Sequence, residues 1–279
     1  MAAYPVVSAP YGYKPLNLIG GQVFSGSTRY LPIQYNYNTN IFYGDAVILS
    51  RGFITRASIA SGTGLNQVTG IFLGCYGTNP TTKQPTYSQY YPANTAAGDT
   101  MAIICDDPDT VFKGVMCTSG TTIGSAALAM VGQNVGGITT NSGNANTGDS
   151  ANALLVPTAT PVTTTLPFRI IDVVRDTQVS LGSATYTSIS TATVTCSALP
   201  QALLVGTDVA SLDTSTGQQI QSASFVSTAA AAGATSFVLN QAPSTAFVAS
   251  STLVFTQYPE VLFKLQFGLH GYYSATATA

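Results

Sequence analysis

Three carboxylates fall within four residues at Asp106-Asp107-Pro108-Asp109, in a chain of 279 residues whose charged content is only 7%. Acids so spaced could do two kinds of chemistry. As hard oxygen donors they suit calcium, but the D-x-D-x-D-G loop and its distal glutamate are missing. As a general acid and base they could hydrolyse a glycosidic bond. That reaction uses carboxylates facing each other across a cleft, whereas these are neighbours around a proline, and the chain has no tryptophan to stack on a sugar. The remaining reading is a turn: Asp-Pro initiates turns, Asp side chains accept from nearby amides, and "MAIIC" (101–105) and "TVFKGVM" (110–116) on either side read as strands.

The other reactive side chains are few. A Ser-His-Asp device needs a histidine beside its nucleophile, and the one histidine, His270, sits between glycines in "GLHGYY", where a solvated or interface position is expected. No G-x-S-x-G elbow and no glycine-rich phosphate loop occurs. Cys75, Cys105, Cys117 and Cys196 contain no C-x-x-C pair, so zinc-ligand spacing is absent. Cys75 and Cys105 end apolar runs, which predicts buried reduced thiols on strands, with a disulfide left open. The nine basic residues are scattered from Lys14 to Lys264 in a chain of net charge −2, so no footprint for nucleic acid is expected. The expectation is a protein with no catalytic, metal or cofactor site.

The charge deficit points elsewhere. An ordinary soluble domain is about 25% charged; a surface built from Thr, Ser, Asn, Gln, Gly and Ala implies that much of it meets other protein. Tyrosines supply large apolar area and a polar handle at low entropy cost. Those of the N-terminal stretch and of "YSQYYP" (87–92) are therefore the expected contact residues: Tyr4, Tyr11, Tyr13 with Lys14, and Tyr87, Tyr90, Tyr91. A carbohydrate-binding or core role for these rings stays open. The N-terminus has prolines at 5, 10 and 15 and no uninterrupted apolar stretch, and no segment reaches the roughly 18 apolar residues that span a bilayer. Neither export nor a membrane partner is expected, and the chain should be made in a cytoplasm and stay soluble until it assembles.

The elements that must position these residues read as all-β. Residues 1–34, with prolines 5, 10, 15 and 32, are expected to form an extended arm that is removable to residue 16 without loss of the fold. A barrel- or sandwich-like core is expected over 35–177 and 258–279, with strands at 45–50, 53–57, 69–75, 101–105, 110–116, 168–176 and 259–267. In the last of these Val261, Phe263, Leu265 and Phe267 alternate onto one face, with Glu260, Lys264 and Gln266 on the other. "TIGSAALAMVGQ" (122–133) is the one candidate for a short helix, although its Ile, Gly and Val would also suit a strand, and 136–153 is expected to be a long loop without secondary structure. Residues 178–257, Thr- and Val-rich with hardly any charge, read as a small β module inserted between two core strands.

The segments "PYGYKPLNLIGG" (10–21), "TNIFYGDAV" (39–47), "GIFLGCYGTNPTTKQPTYSQYYPANTAAGD" (70–99), "DDPDTVFK" (106–113), "PFRIIDVVRD" (167–176) and "YPEVLFKLQFGLHGY" (258–272) together resemble a family of tailed-phage head decoration, or cement, proteins. The likeness omits 178–257, for which a surface knob and an extra lattice contact are the two readings. The resemblance implies a non-enzymatic virion protein on the outside of an icosahedral shell, bound to the major capsid protein and to itself, commonly as a homotrimer. It supplies no catalytic residue. A phage tail or fibre subunit, or a surface-layer subunit, is the alternative.

Overall fold

The structure is a computed structural model that describes residues 7–58, 67–157, 166–212, 216–217, 219–243 and 246–272. Tyr4 and most of the polar turns expected at 61–67 and 214–219 lie outside the described residues. The chain is all-β. In order, its strands are β1 (Lys14–Leu18), β2 (Arg29–Pro32), β3 (Ala46–Ser50), β4 (Phe53–Arg56), β5 (Gly70–Thr78), β6 (Pro85–Ser88), β7 (Met101–Cys105), β8 (Thr110–Ser119), β9 (Thr122–Ile123) and β10 (Asn134–Val135). There follow β11 (Gly137–Ile138), β12 (Ala153–Leu155), β13 (Phe168–Val173), β14 (Val179–Ser190), β15 (Thr193–Cys196), β16 (Asp208–Leu212), β17 (Gln219–Thr228), β18 (Ser236–Leu239), β19 (Thr252–Gln257) and β20 (Glu260–Leu265).

Strand β8 is the spine of an eight-stranded sheet ordered β10-β13-β20-β8-β12-β11, onto which β1 and β9 also pair. From Thr110 to Cys117 every residue but Lys113 is buried, because both faces of the strand are covered. In β20, Val261, Phe263 and Leu265 alternate into the core as expected. Phe267 does not follow them: β20 ends at Leu265, and Phe267 opens a single 3-10 turn, 55% exposed.

The second sheet, β2-β7-β5-β3-β4 with β6 on β5, curls until Ile33 bridges Ile54 and almost closes it. Ile33, Val47, Ile54, Phe72, Ala102 and Ile104 share a buried cluster with Ile41 and Tyr91 from the flanking loops. Alternate residues on the other face, Ala46, Ile71 and Cys105, join Phe112, Phe168 and Phe263 of the large sheet in the main core.

Tyr13 belongs to that core. It has no exposed surface, and its ring lies 5.0 Å from Phe168 and 5.1 Å from Phe263. The arm expected over residues 1–34 is therefore corrected over its described part, 7–34, where Lys14–Leu18 and Arg29–Pro32 are paired strands; residues 1–6 lie outside the described residues. The prolines do exclude a helix, but a sheet edge accepts proline where no ladder bond is needed, and the β1–β8 register shifts between Pro15 and Asn17. Deleting residues 7–16 is for the same reason expected to take Tyr13 out of the core and to remove the start of β1.

Two further expectations change. The short helix over 122–133 is instead β9 followed by one 3-10 turn at Leu128–Met130. The amides a helix would use internally go to neighbours: Ser125 N–H donates to Val205 and Ala126 N–H to Tyr258. The loop at 136–153 contains β11 and the first residue of β12, with Ile138, Thr139 and Asn152 buried.

Between residues 179 and 257 the chain closes a barrel ordered β14-β15-β18-β17-β16-β19. It is filled by its own apolar cluster, which includes Leu181, Val194, Leu203, Val209, Phe237 and Phe255. The barrel meets the sandwich at a tight joint. Phe225 of β17 inserts into the main core, and Gly206, at φ +87°, lies so close to the Ser125 carbonyl that an added Cβ would sit 1.7 Å from its oxygen. Gly206→Ala is expected to destabilise the folded chain by about 3 kcal/mol through strain and overlap, read as a lowered urea midpoint.

Candidate functional site

A buried polar node gathers side chains that the sequence reading did not single out. Asp45, with no exposed surface, follows the turn that "IFYGD" makes before β3. Its carboxylate accepts from the Phe42 amide at 2.9 Å and from the Ser150 hydroxyl at 2.6 Å, and pairs with Arg56 Nε at 3.1 Å. Arg56 reaches on to the Asn141 carbonyl at 2.7 Å and Asn152 Oδ1 at 3.2 Å. Burial pushes Asp45 above the ordinary carboxylate range, while Arg56, the Phe42 amide and Ser150 each pull it back down. The N-terminal strand is drawn onto this node: Tyr13 N–H donates to Gly44 and Gly12 N–H to Asn152. A Cβ on Gly44 would come 2.9 Å from the Tyr13 nitrogen, so the approach requires glycine. The node holds Ser150 against a carboxylate with no imidazole beside it, and what it does is tie four chain segments together.

A second clasp lies on the outer face of the large sheet. Glu260, 3% exposed, accepts from the Tyr11 hydroxyl and pairs with Lys113 at 2.9 Å. Burial, and then Glu260 itself, hold the Tyr11 hydroxyl well above its ordinary value. Lys14 lies over the Tyr11 ring at 5.1 Å from its centroid. Tyr11 thus spends its hydroxyl inside the chain, and Lys14 lies against its ring.

The acidic segment is a turn. Asp109 N–H donates to Asp107 Oδ1 and Thr110 N–H to the Asp107 carbonyl, which joins β7 to β8. Asp106 pairs with Arg29 at 3.0 Å and accepts from the Tyr272 hydroxyl at 2.8 Å. Asp109 lies 3.8 Å from Lys264. Among the described residues no group of three or more His, Cys, Asp or Glu could hold a metal ion.

His270 corrects the expectation of a solvated or interface histidine, since it is fully buried. Nδ1 accepts from the Tyr272 amide at 3.3 Å, so Nε2 carries the proton and donates to the Asp106 carbonyl at 3.0 Å. Glycine neighbours suggested exposure, whereas the ring in fact plugs the space under the acidic turn. All four cysteines are free and buried. Burial pushes Cys75 up to about 12 and Cys105 and Cys117 up to about 11, so they are poor nucleophiles.

The expected contact tyrosines divide sharply. Tyr13 and Tyr91 are core residues, at 0% and 1% exposure, and cannot meet a neighbour. Tyr90 stacks on Phe42 with centroids 5.4 Å apart. Tyr87 is 77% exposed, and two rings that the sequence reading passed over join it. Tyr76 stacks on Tyr87 at 5.6 Å and meets Tyr30, 52% exposed, edge-on at 5.5 Å. The pairings Tyr30 with Ile103, Tyr76 with Met101, and Tyr76 with Tyr87 place all five on one face of the curled sheet. The signal was the alternation in "MAIIC": Ala102 and Ile104 point into the small core, leaving Met101 and Ile103 half-buried outside.

No known family model matches the chain, and a search of curated proteins found no match.

Arg56→Met should leave Asp45 buried without its cation and cost about 3–5 kcal/mol, read as a fall in the denaturation midpoint. Burial lowers the His270 pKa from its ordinary 6.5. The unfolded chain therefore binds the proton first as pH falls. Stability is complete above 6.5 and declines as pH drops from there toward the depressed folded value. In His270→Gln that decline should be reduced, as measured by urea midpoints on either side of 6.5.

Proposed function

We propose that this chain is a structural virion subunit that decorates and cements the outside of an icosahedral phage capsid, bound to the major capsid protein and to copies of itself. The observation that carries the reading is the row Tyr30–Tyr76–Tyr87 beside Met101 and Ile103, an aromatic and aliphatic face on a chain with 7% charged residues. Rings of this kind act as anchors when a neighbour desolvates them. The rigid sheet beneath them fixes their positions before contact, so little side-chain freedom is lost on binding.

Several features agree with a non-enzymatic role. The buried carboxylates of Asp45 and Glu260 are spent on structural ion pairs, the histidine is held by backbone groups on both ring nitrogens, and the thiols are buried. Cementing follows by linkage: a subunit that binds only the assembled shell stabilises that state by mass action. With many copies, modest affinity per copy suffices. The assignment to a phage head rests on the sequence resemblance. The tail, fibre or surface-layer alternative requires a chain that polymerises by itself, and electron microscopy of the purified protein separates the two.

The test is co-sedimentation with purified phage heads. Wild-type protein should saturate the particles in many copies, while Tyr30→Ser combined with Tyr87→Ser should weaken binding by roughly tenfold or more at an unchanged melting temperature. Full occupancy by the double variant would remove the tyrosine face from the mechanism, and absence of wild-type binding would remove the decoration reading.

A further inference from the structure

The barrel formed by β14 to β19 differs electrostatically from the rest of the molecule. Residues 178–257 contain no Lys, Arg, Glu or His; their only ionisable carboxylates are Asp208 and Asp213. Asp208 is 3% exposed, and Asp213 lies outside the described residues. The described exterior of the barrel therefore carries no exposed charge. We infer that the β14-β15-β18 face of the barrel is a self-association surface that pairs with the same face of a second copy about a two-fold axis.

The geometry of the face supports that occupant. Ser188 pairs with Thr195 and Thr195 with Ser236; Ser190 pairs with Thr193 and Thr193 with Val238. Residues directly opposite in a ladder share a face, and all six of these side chains are exposed. The result is two rows of hydroxyl and β-branched groups over three strands. The ring of strands is closed through β14, which pairs with β19 over its first half and with β15 over its second, and a partner seated on this face meets side chains.

The chemistry selects a second copy. In a two-fold contact each side chain near the axis faces its own twin. An ammonium or carboxylate there would face a like charge. A hydroxyl both donates and accepts, so it can hydrogen-bond to an identical hydroxyl. A face of Ser and Thr is self-complementary in a way that a charged face is not, and an uncharged surface is in any case prone to associate. The described aromatic rings of the barrel, Tyr186, Phe225, Phe237, Phe247 and Phe255, are all buried, so none offers the stacking platform that a sugar or a nucleobase would use. This inference deepens the self-binding part of the decoration reading by naming its surface, and shell binding is tested apart from it.

Two full-length variants test the pairing. One carries Ser188→Lys, Thr193→Lys and Ser236→Lys, and the other carries Glu at the same three positions. Sedimentation velocity over a concentration series should show an association step in the wild type. In each variant alone that step should move to concentrations roughly tenfold higher or more, because like charges meet across the axis. Mixing the two variants should restore association at or below the wild-type concentration, which a folding defect could not produce. The inference is overturned if the wild type shows no association step, if either variant sediments as the wild type does, or if the mixture fails to re-associate. Shell binding measured on the same proteins reports separately on the decoration reading: wild-type protein that self-associates but ignores phage heads sinks that reading and leaves the pairing intact.

Discussion

Taking one carboxylate out of water organises the sandwich. An ionised Asp45 without partners would be strongly unfavourable in the interior, and its shift toward the protonated form shows that desolvation still weighs on it. It is tolerated because Arg56 arrives from β4, Ser150 from the loop before β12, and the Phe42 amide from its own turn. Each of these groups must be in place for the others to be satisfied. The segment at 136–153, which by composition should wander, is held because Asn141 and Asn152 complete the coordination of the Arg56 guanidinium. The N-terminal strand is then laid across the node through Gly12, Tyr13 and Gly44. A buried ion pair of this kind adds little net stability compared with an apolar replacement, but it penalises any arrangement that leaves one member alone.

Much of the fold was legible because β structure writes its period into sequence. The alternation Val261, Phe263, Leu265 and the apolar pieces of β8 on either side of Lys113 record the covered faces of those strands. The polar turn at Asp106–Asp109 was equally readable, since Asp and Pro have local reasons to sit there. What could not be read locally was decided by partners far away in the chain. Tyr13 looks like any arm tyrosine until Phe168 and Phe263 close around it. His270 looks exposed between glycines until Asp106 supplies a carbonyl from 164 residues away. The helix suggested by "SAALAM" failed because its amides are claimed by residues 205 and 258.

The contact surface shows the same limit. Counting tyrosines found a tyrosine-rich loop, and only the register of β2, β7, β5 and β6 separates Tyr87, which faces outward, from Tyr91, which faces inward four residues later. Tyr30 and Tyr76 lie 46 residues apart in sequence and touch because two strands flank β7. Surface chemistry in an all-β chain is assembled across strands, so linear motifs report it poorly.

The four thiols carry a last consequence. Each is packed among apolar side chains or beside a hydroxyl, none is bonded to another, and burial keeps them in the unreactive protonated form. The fold thus owes nothing to redox state. A reducing environment finds no crosslink in this fold to remove, and an oxidant meets four thiols that are buried and apart from one another.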